Sequence, residues 1–153
     1  MNFKTMSKQR KFVLIAAAIG LISCFLPWYT FSFMGFGGGS INGMHSWGLL
    51  TFLAFAGAGI VALLGDQTKT MSQSHWFLAL ACGVLSIIGV LIFFLEVSGT
   101  MVSYGFGLFI AAAAAIAVLA AAYTQRSPGD SIKGGFDSLK NDIDSKKKTD
   151  NTP

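Results

Sequence analysis

Charge is scarce where this sequence is most apolar. Charged residues make up 12% of the chain, against about 25% in soluble domains. Four long stretches hold none: Phe12–Trp28, Gly48–Leu64, Trp76–Leu95 and Tyr104–Tyr123. Helices of a soluble bundle show polar stripes at helical period, and these stretches are apolar all round, so a soluble bundle is excluded. Cysteine is also rare. At ~1.5 Å rise per residue, Cys24 and Cys82 fall at depths that differ by roughly 9 Å. A disulfide needs Cα atoms within about 7 Å, so two free thiols are expected.

Other shortages exclude chemistry. His45 and His75 lie on opposite sides of the apolar core and cannot share a metal or a haem. There is no HExxH, Cys-x-x-Cys, nucleophile elbow or phosphate-binding Gly-rich loop, and no enzymatic activity, cofactor or metal is expected. No ionisable group stands in the middle of an apolar run, which disfavours a proton- or ion-coupled carrier. There is no inverted repeat either.

What is present is hydrophobic. Apolar residues make up 53% of the chain. Each apolar stretch approaches the ~20 residues a helix needs to cross a ~30 Å hydrocarbon core. The sequence therefore predicts an all-α membrane protein, a bundle of four transmembrane helices over about 12–28, 48–64, 76–95 and 104–123. Residues 1–11 form a basic arm, 12–123 the transmembrane domain, 29–47 an outer loop and 124–153 a polar tail. Small residues recur at four-residue spacing (Ala16, Gly20, Cys24; Ala54, Ala58, Ala62; Ala79, Gly83; Gly107, Ala111, Ala115), where backbones can approach closely in lipid. They suit packing within the bundle or a homo-oligomer seam.

The basic residues set an orientation. Lys4, Lys8, Arg10 and Lys11 precede the first run, Lys69 lies between the second and third, and the rest lie in the tail. The 29–47 and 96–103 connections carry no Lys or Arg. Both termini are thus expected on the cytoplasmic side of a bacterial inner membrane, in a multi-pass protein. A net charge of +4 distributed this way is an orientation signal and not a nucleic-acid surface. Trp28, Tyr29, Trp47, Trp76, Tyr104 and Tyr123 stand at segment ends, where amphipathic rings favour the interface. Glu96 ends the third run on the outer side, as a solvated helix-end acid or a site for a cation or a basic partner.

Within the outer loop, Tyr29, Phe31 and Phe33 alternate with Thr30, Ser32 and Met34, a strand pattern with one aromatic face. Gly35–Gly39 reads as a turn, and Ser40–His45 as a returning strand, with Asn42-Gly43 a turn signal of its own. A small hairpin is expected on the outer ends of the helices. Tyr29, Phe31, Phe33, Phe36, Asn42 and Trp47 are its candidate docking residues, since an edge strand can pair with another chain.

In the tail, Ser127-Pro128-Gly129-Asp130 is expected to stop the fourth helix. Beyond it Ile132, Phe136, Leu139 and Ile143 recur at helical spacing with Lys133 and Lys140 alongside. This suits a short amphipathic helix over 131–145 on anionic lipid, with Ile132, Phe136, Leu139, Ile143 and Lys140 as the lipid surface. The alternative is a disordered tail, and the last residues from Lys146 on are expected to be disordered.

Leu21-Ile22-Ser23-Cys24 has the form of a lipobox, with cleavage before Cys24 and lipidation as its consequence. The apolar FLPWYTFSF that follows is unlike a lipoprotein tether. The layout resembles small four-helix bacterial membrane proteins in which a Pro-Trp, here Pro27-Trp28, ends the first helix. In these a Gly/Asn-rich outer loop, here Asn42-Gly43 and Trp47-Gly48, leads into the second. The plan is similar in topology to claudins. That resemblance implies a claudin-like four-helix bundle and no activity.

The function expected is structural or partner-docking, through the outer loop and helix faces, with the bilayer, a protein partner or a homo-oligomer as the contacts. An oligomeric pore or an accessory subunit of a transporter is the alternative.

Overall fold

In a computed structural model, residues 5–32, 38–97, 102–124 and 131–150 are described. The elements in chain order are α1 (Lys8–Ser23), β1 (Pro27–Ser32), β2 (Gly38–Asn42), α2 (Gly48–Leu63), α3 (Gln73–Glu96), β3 (Val102–Tyr104), α4 (Phe106–Thr124) and α5 (Ile132–Asp150). The first four helices close a ring: α1 packs on α2 and α4, and α3 packs on the same two. At one end of the ring lies an antiparallel sheet of order β2-β1-β3. At the other end α5 lies against α3.

The packing follows from side-chain size. The ring's interior is built of small residues such as Ala17, Ala58, Ala79, Ala111 and Ala115, all buried, with Trp28, Phe55, Trp76 and Phe93 as its large members. At Gly83 of α3 an added Cβ would stand 2.8 Å from Leu119 Cδ2 of α4, so these two helices approach as closely as a glycine allows. The outward faces are the reverse. Ile22 of α1, Leu53 of α2, Leu95 of α3 and Phe109 of α4 are all exposed, each by more than half of its surface. Small residues inside and large aliphatics outside is the polarity of helices packed in lipid. In water so continuous an apolar surface would drive association.

The structure corrects the expected fold class. It has five helices and a three-stranded antiparallel sheet, and among the described residues only α3 and α4 are long and apolar enough to cross a membrane. An all-α bundle of four transmembrane helices is not what this chain forms. The first apolar run does not end as helix. α1 stops at Ser23, and Pro27 and Trp28 already belong to β1. A continuous apolar run cannot distinguish helix from buried strand by periodicity alone. α1 makes up its length at the other end, through Gln9 and Arg10, both buried. α2 has 16 residues, so at ~1.5 Å per residue it falls short of a ~30 Å core.

The hairpin is there, with β1 pairing β2 from Tyr29↔Ile41 to Ser32↔Gly38. What periodicity missed is β3, which pairs with the other side of β1 from Tyr29↔Tyr104 to Phe31↔Val102. The tail helix is also longer than expected, since α5 continues from Lys146 to Asp150. The helix stop at Ser127–Asp130 and most of the Gly35–Gly39 turn lie outside the described residues.

Candidate functional site

The sheet end is organised by Trp28. Its indole is fully buried. Its Nε1 donates to the carbonyl oxygen of Ser23, the last residue of α1, at 2.9 Å, where the Leu26 amide donates as well at 3.1 Å. The ring meets Phe93 of α3 edge to face, centroids 4.8 Å apart. Gly43 lies so close to the indole that a Cβ there would collide with it, and a Cβ at Gly107 would meet Leu26 and the Pro27 carbonyl at 2.8 Å beside the same ring. The Asn42-Gly43 pair therefore lets the chain pass under a tryptophan as well as turn. Trp28 was expected at an interface and is instead the rivet between hairpin and helices.

The turn after β2 is held by its own polar groups. Asn42 Oδ1 accepts the Met44 amide at 3.2 Å and lies 3.1 Å from His45 Nδ1. Ser46 adopts a left-handed φ of 51°, rare for a residue with a side chain. Its hydroxyl lies 2.7 and 2.9 Å from the two Glu96 oxygens, which ties the turn to the end of α3. Glu96 thus has a partner within the chain.

The sequence-chosen docking residues divide three ways. Tyr29 is half-buried, its ring 5.9 Å from Phe93, and Asn42 is spent on the turn. Phe31 and Trp47 are exposed. Phe33 and Phe36 lie outside the described residues. Beyond Tyr29 the strand leaves the bundle: Thr30, Phe31 and Ser32 are exposed in succession. Consecutive strand residues point to opposite faces, so both faces of the sheet are uncovered there. Ser40 of the neighbouring strand is exposed too. Phe25 and Phe106 are exposed around the same end, as in an interfacial aromatic belt.

The opposite end carries a residue whose role the sequence did not show. Arg10 belongs to the basic arm over 1–11 by sequence, and only 2% of it is exposed. Its Nη1 donates to the carbonyls of Ala62 (3.0 Å) and Leu64, and its Nε to that of Lys69 (3.1 Å). A guanidinium thus caps the C-terminus of α2, where the helix dipole favours a cation. Burial lowers its pKa, and nearby Asp66 acts in the opposite direction. Gln9 beside it receives the Met71 amide at 3.1 Å. At the same end Trp76, buried at 1% exposure, donates from Nε1 to the Ala122 carbonyl.

α5 packs on the first turn of α3. Phe136 meets Phe77 nearly edge to face at 6.4 Å, and the Ser74 hydroxyl donates to Asp142 at 2.8 Å. Ile132, Phe136 and Ile143 stay exposed, Leu139 is half-buried, and Lys140 lies beside them at the surface. Between α1 and α4 runs an open apolar groove of about 550 Å³, walled by Phe12, Ile15, Ile19, Ile110 and Ala117.

Both cysteines are free, Cys24 buried and Cys82 half-buried. Among the described residues no cluster of three His, Cys, Asp or Glu side chains is placed to hold a metal. No protein-family model, curated protein or solved structure matches this chain.

Proposed function

We propose that this is a small, non-catalytic integral membrane protein, anchored by α3 and α4, that docks a partner protein on its sheet end. Two helices of sufficient length and apolarity support the membrane placement, as do the exposed aliphatic faces around the ring. The sheet carries the docking role. β2 is an edge strand, and the sheet beyond Tyr29 is bare on both faces. An open edge offers unpaired N–H and C=O groups to which an extended segment can add as a further strand.

The charge distribution supports an orientation with the sheet outside and both termini in the bacterial cytoplasm. Lys8, Lys11, Lys69, Lys133 and Lys140 belong to segments at the α5 end, whereas Glu96 is the charged residue of the sheet end. Basic residues favour the cytoplasmic side. A second reading, as an accessory subunit or homo-oligomer, is favoured by the open apolar groove of about 550 Å³ between α1 and α4.

A photo-reactive residue at Ser40, used in intact membranes, tests the docking role, with Ile60 on the outer face of α2 as the control. The docking reading expects Ser40 to capture one partner protein that Ile60 does not. Capture of lipid and self alone at Ser40 would end it.

A further inference from the structure

We propose that α5 lies in the plane of the membrane as a sensor of anionic lipid, clamped at the rim of the bundle by the first turn of α3. The inference goes beyond partner docking but rests on the membrane placement argued above. Three independent features converge on it.

The first is depth. α5 contacts Gln73, Ser74 and Phe77, the opening turn of a helix long enough to span. It therefore sits where that span enters the headgroups. The second is a clamp that fixes rotation. Gly135 lies flush on Phe77, where a Cβ would stand 2.7 Å from the Phe77 Cβ, and Gly134 lies against the Gln73 amide. Asp142 accepts from Ser74, and Ser138 donates to Gln73 at 3.4 Å. With that flank tied to α3, the stripe of Ile132, Phe136 and Ile143 is left uncovered, each residue about 60% exposed.

The third is charge. At ~100° per residue, Lys133 and Lys140 border the stripe, while Asp137 and Asp144 fall further round toward the polar face. The acid on the opposite flank, Asp142, is engaged by Ser74. Neither Lys133 nor Lys140 belongs to an ion pair among the described residues, whereas Lys69 pairs with Asp66. Lysines beside an apolar stripe can lay their stems on it and lift their ammonium groups to the phosphates. An anionic leaflet is the surface complementary to that pattern.

The test uses the whole protein in vesicles of phosphatidylcholine, with or without phosphatidylglycerol. An environment-sensitive dye is attached at Ile143→Cys or, as an embedding control, at Leu85→Cys, with Cys24 and Cys82 replaced by Ala. Quenching by spin-labelled lipid is then read. The dye at position 85 should be quenched in both lipids. The dye at 143 should be quenched several-fold more with phosphatidylglycerol, an excess that high salt or Lys133→Glu with Lys140→Glu removes. Equal quenching at 143 in both lipids, or none, overturns the proposal while the control leaves the membrane placement standing. Cross-linking of position 143 to a second copy in both lipids overturns it as well. An unquenched dye at 85 overturns the placement and the proposal together. Amide exchange over Ile132–Lys146 in the unmodified protein gives the same discrimination without substitutions: protection should rise with phosphatidylglycerol and fall with salt, and protection indifferent to both contradicts the proposal.

Discussion

Trp76 on the first turn of α3 donates its indole N–H to the carbonyl oxygen of Ala122, in the last turn of α4, at 2.7 Å. Trp28 does the same at the sheet end, to Ser23 of α1 at 2.9 Å. Each indole brings a buried donor to a carbonyl in the last turn of a helix. Each also fills a space that the surrounding Ala and Gly are too small to fill. The two tryptophans close the two ends of the ring.

Trp76→Phe should destabilise the protein by about 0.5–1.5 kcal/mol, the net worth of the one buried hydrogen bond it removes. Trp47, half exposed and free of such a bond in the hydrogen-bond set described, sets the comparison: Trp47→Phe should shift stability by no more than about 0.5 kcal/mol. Thermal unfolding of both variants in detergent reads the difference, and equal shifts would remove the capping role.

Helix approach gives a second contrast. Gly83→Ala would press on Leu119 from 2.8 Å and should cost about 1–3 kcal/mol through overpacking. At Gly59 the nearest neighbour to an added Cβ is Ala17 Cβ at 3.8 Å. Gly59→Ala should therefore be neutral or stabilising by up to about 1 kcal/mol, the helix-propensity gain. The same unfolding assay checks both.

Arg10→Met should cost at least about 1.5–3 kcal/mol, the range for one hydrogen bond to a charged group, because it strips donors from Ala62, Leu64 and Lys69. Arg10→Lys should recover only part, since an ammonium lacks the planar fork that reaches several carbonyls. Retention of wild-type stability in Arg10→Met would remove the capping role.

The loop that Arg10 caps should respond to acid. Asp66 has its pKa lowered from 3.8, first by the Thr68 hydroxyl, then by the Thr68 amide, with Lys69 and Arg10 adding smaller pulls. A depressed carboxylate stabilises the fold above its ordinary pKa, and that contribution is lost as pH falls through the folded value. Exchange of the Thr68 amide should therefore quicken as pH drops below 3.8, beyond the intrinsic trend. Asp66→Asn should flatten that response.

The sequence made some of this legible and hid the rest for physical reasons. Alternation from Tyr29 onward exposed the hairpin, because a strand's period of two is local. β3 was hidden because Tyr104 pairs with Tyr29 across the whole of two helices, and three residues are too few to show a period. Arg10 misled because a cation just before an apolar run has the same local pattern whether it faces water or reaches back under α2. The first helix was drawn too far because FLPW is apolar whether coiled or extended. Of the docking candidates, Asn42 was chosen as a turn signal and is indeed consumed by the turn, which leaves Phe31 and Trp47 as the exposed ones.

The central claim is that the large aliphatic face of α3, one of the two candidate spans, looks into lipid. A nitroxide scan along α3 in vesicles, reading accessibility to oxygen and to a water-soluble nickel chelate, tests it most directly. Leu85, Ile88 and Leu91 are exposed, whereas Ser86 and Gly89 are buried. The account predicts high oxygen and low nickel accessibility at the first three, and low accessibility to both at the other two. High nickel accessibility at Leu85, Ile88 and Leu91 would place that face in water and contradict it.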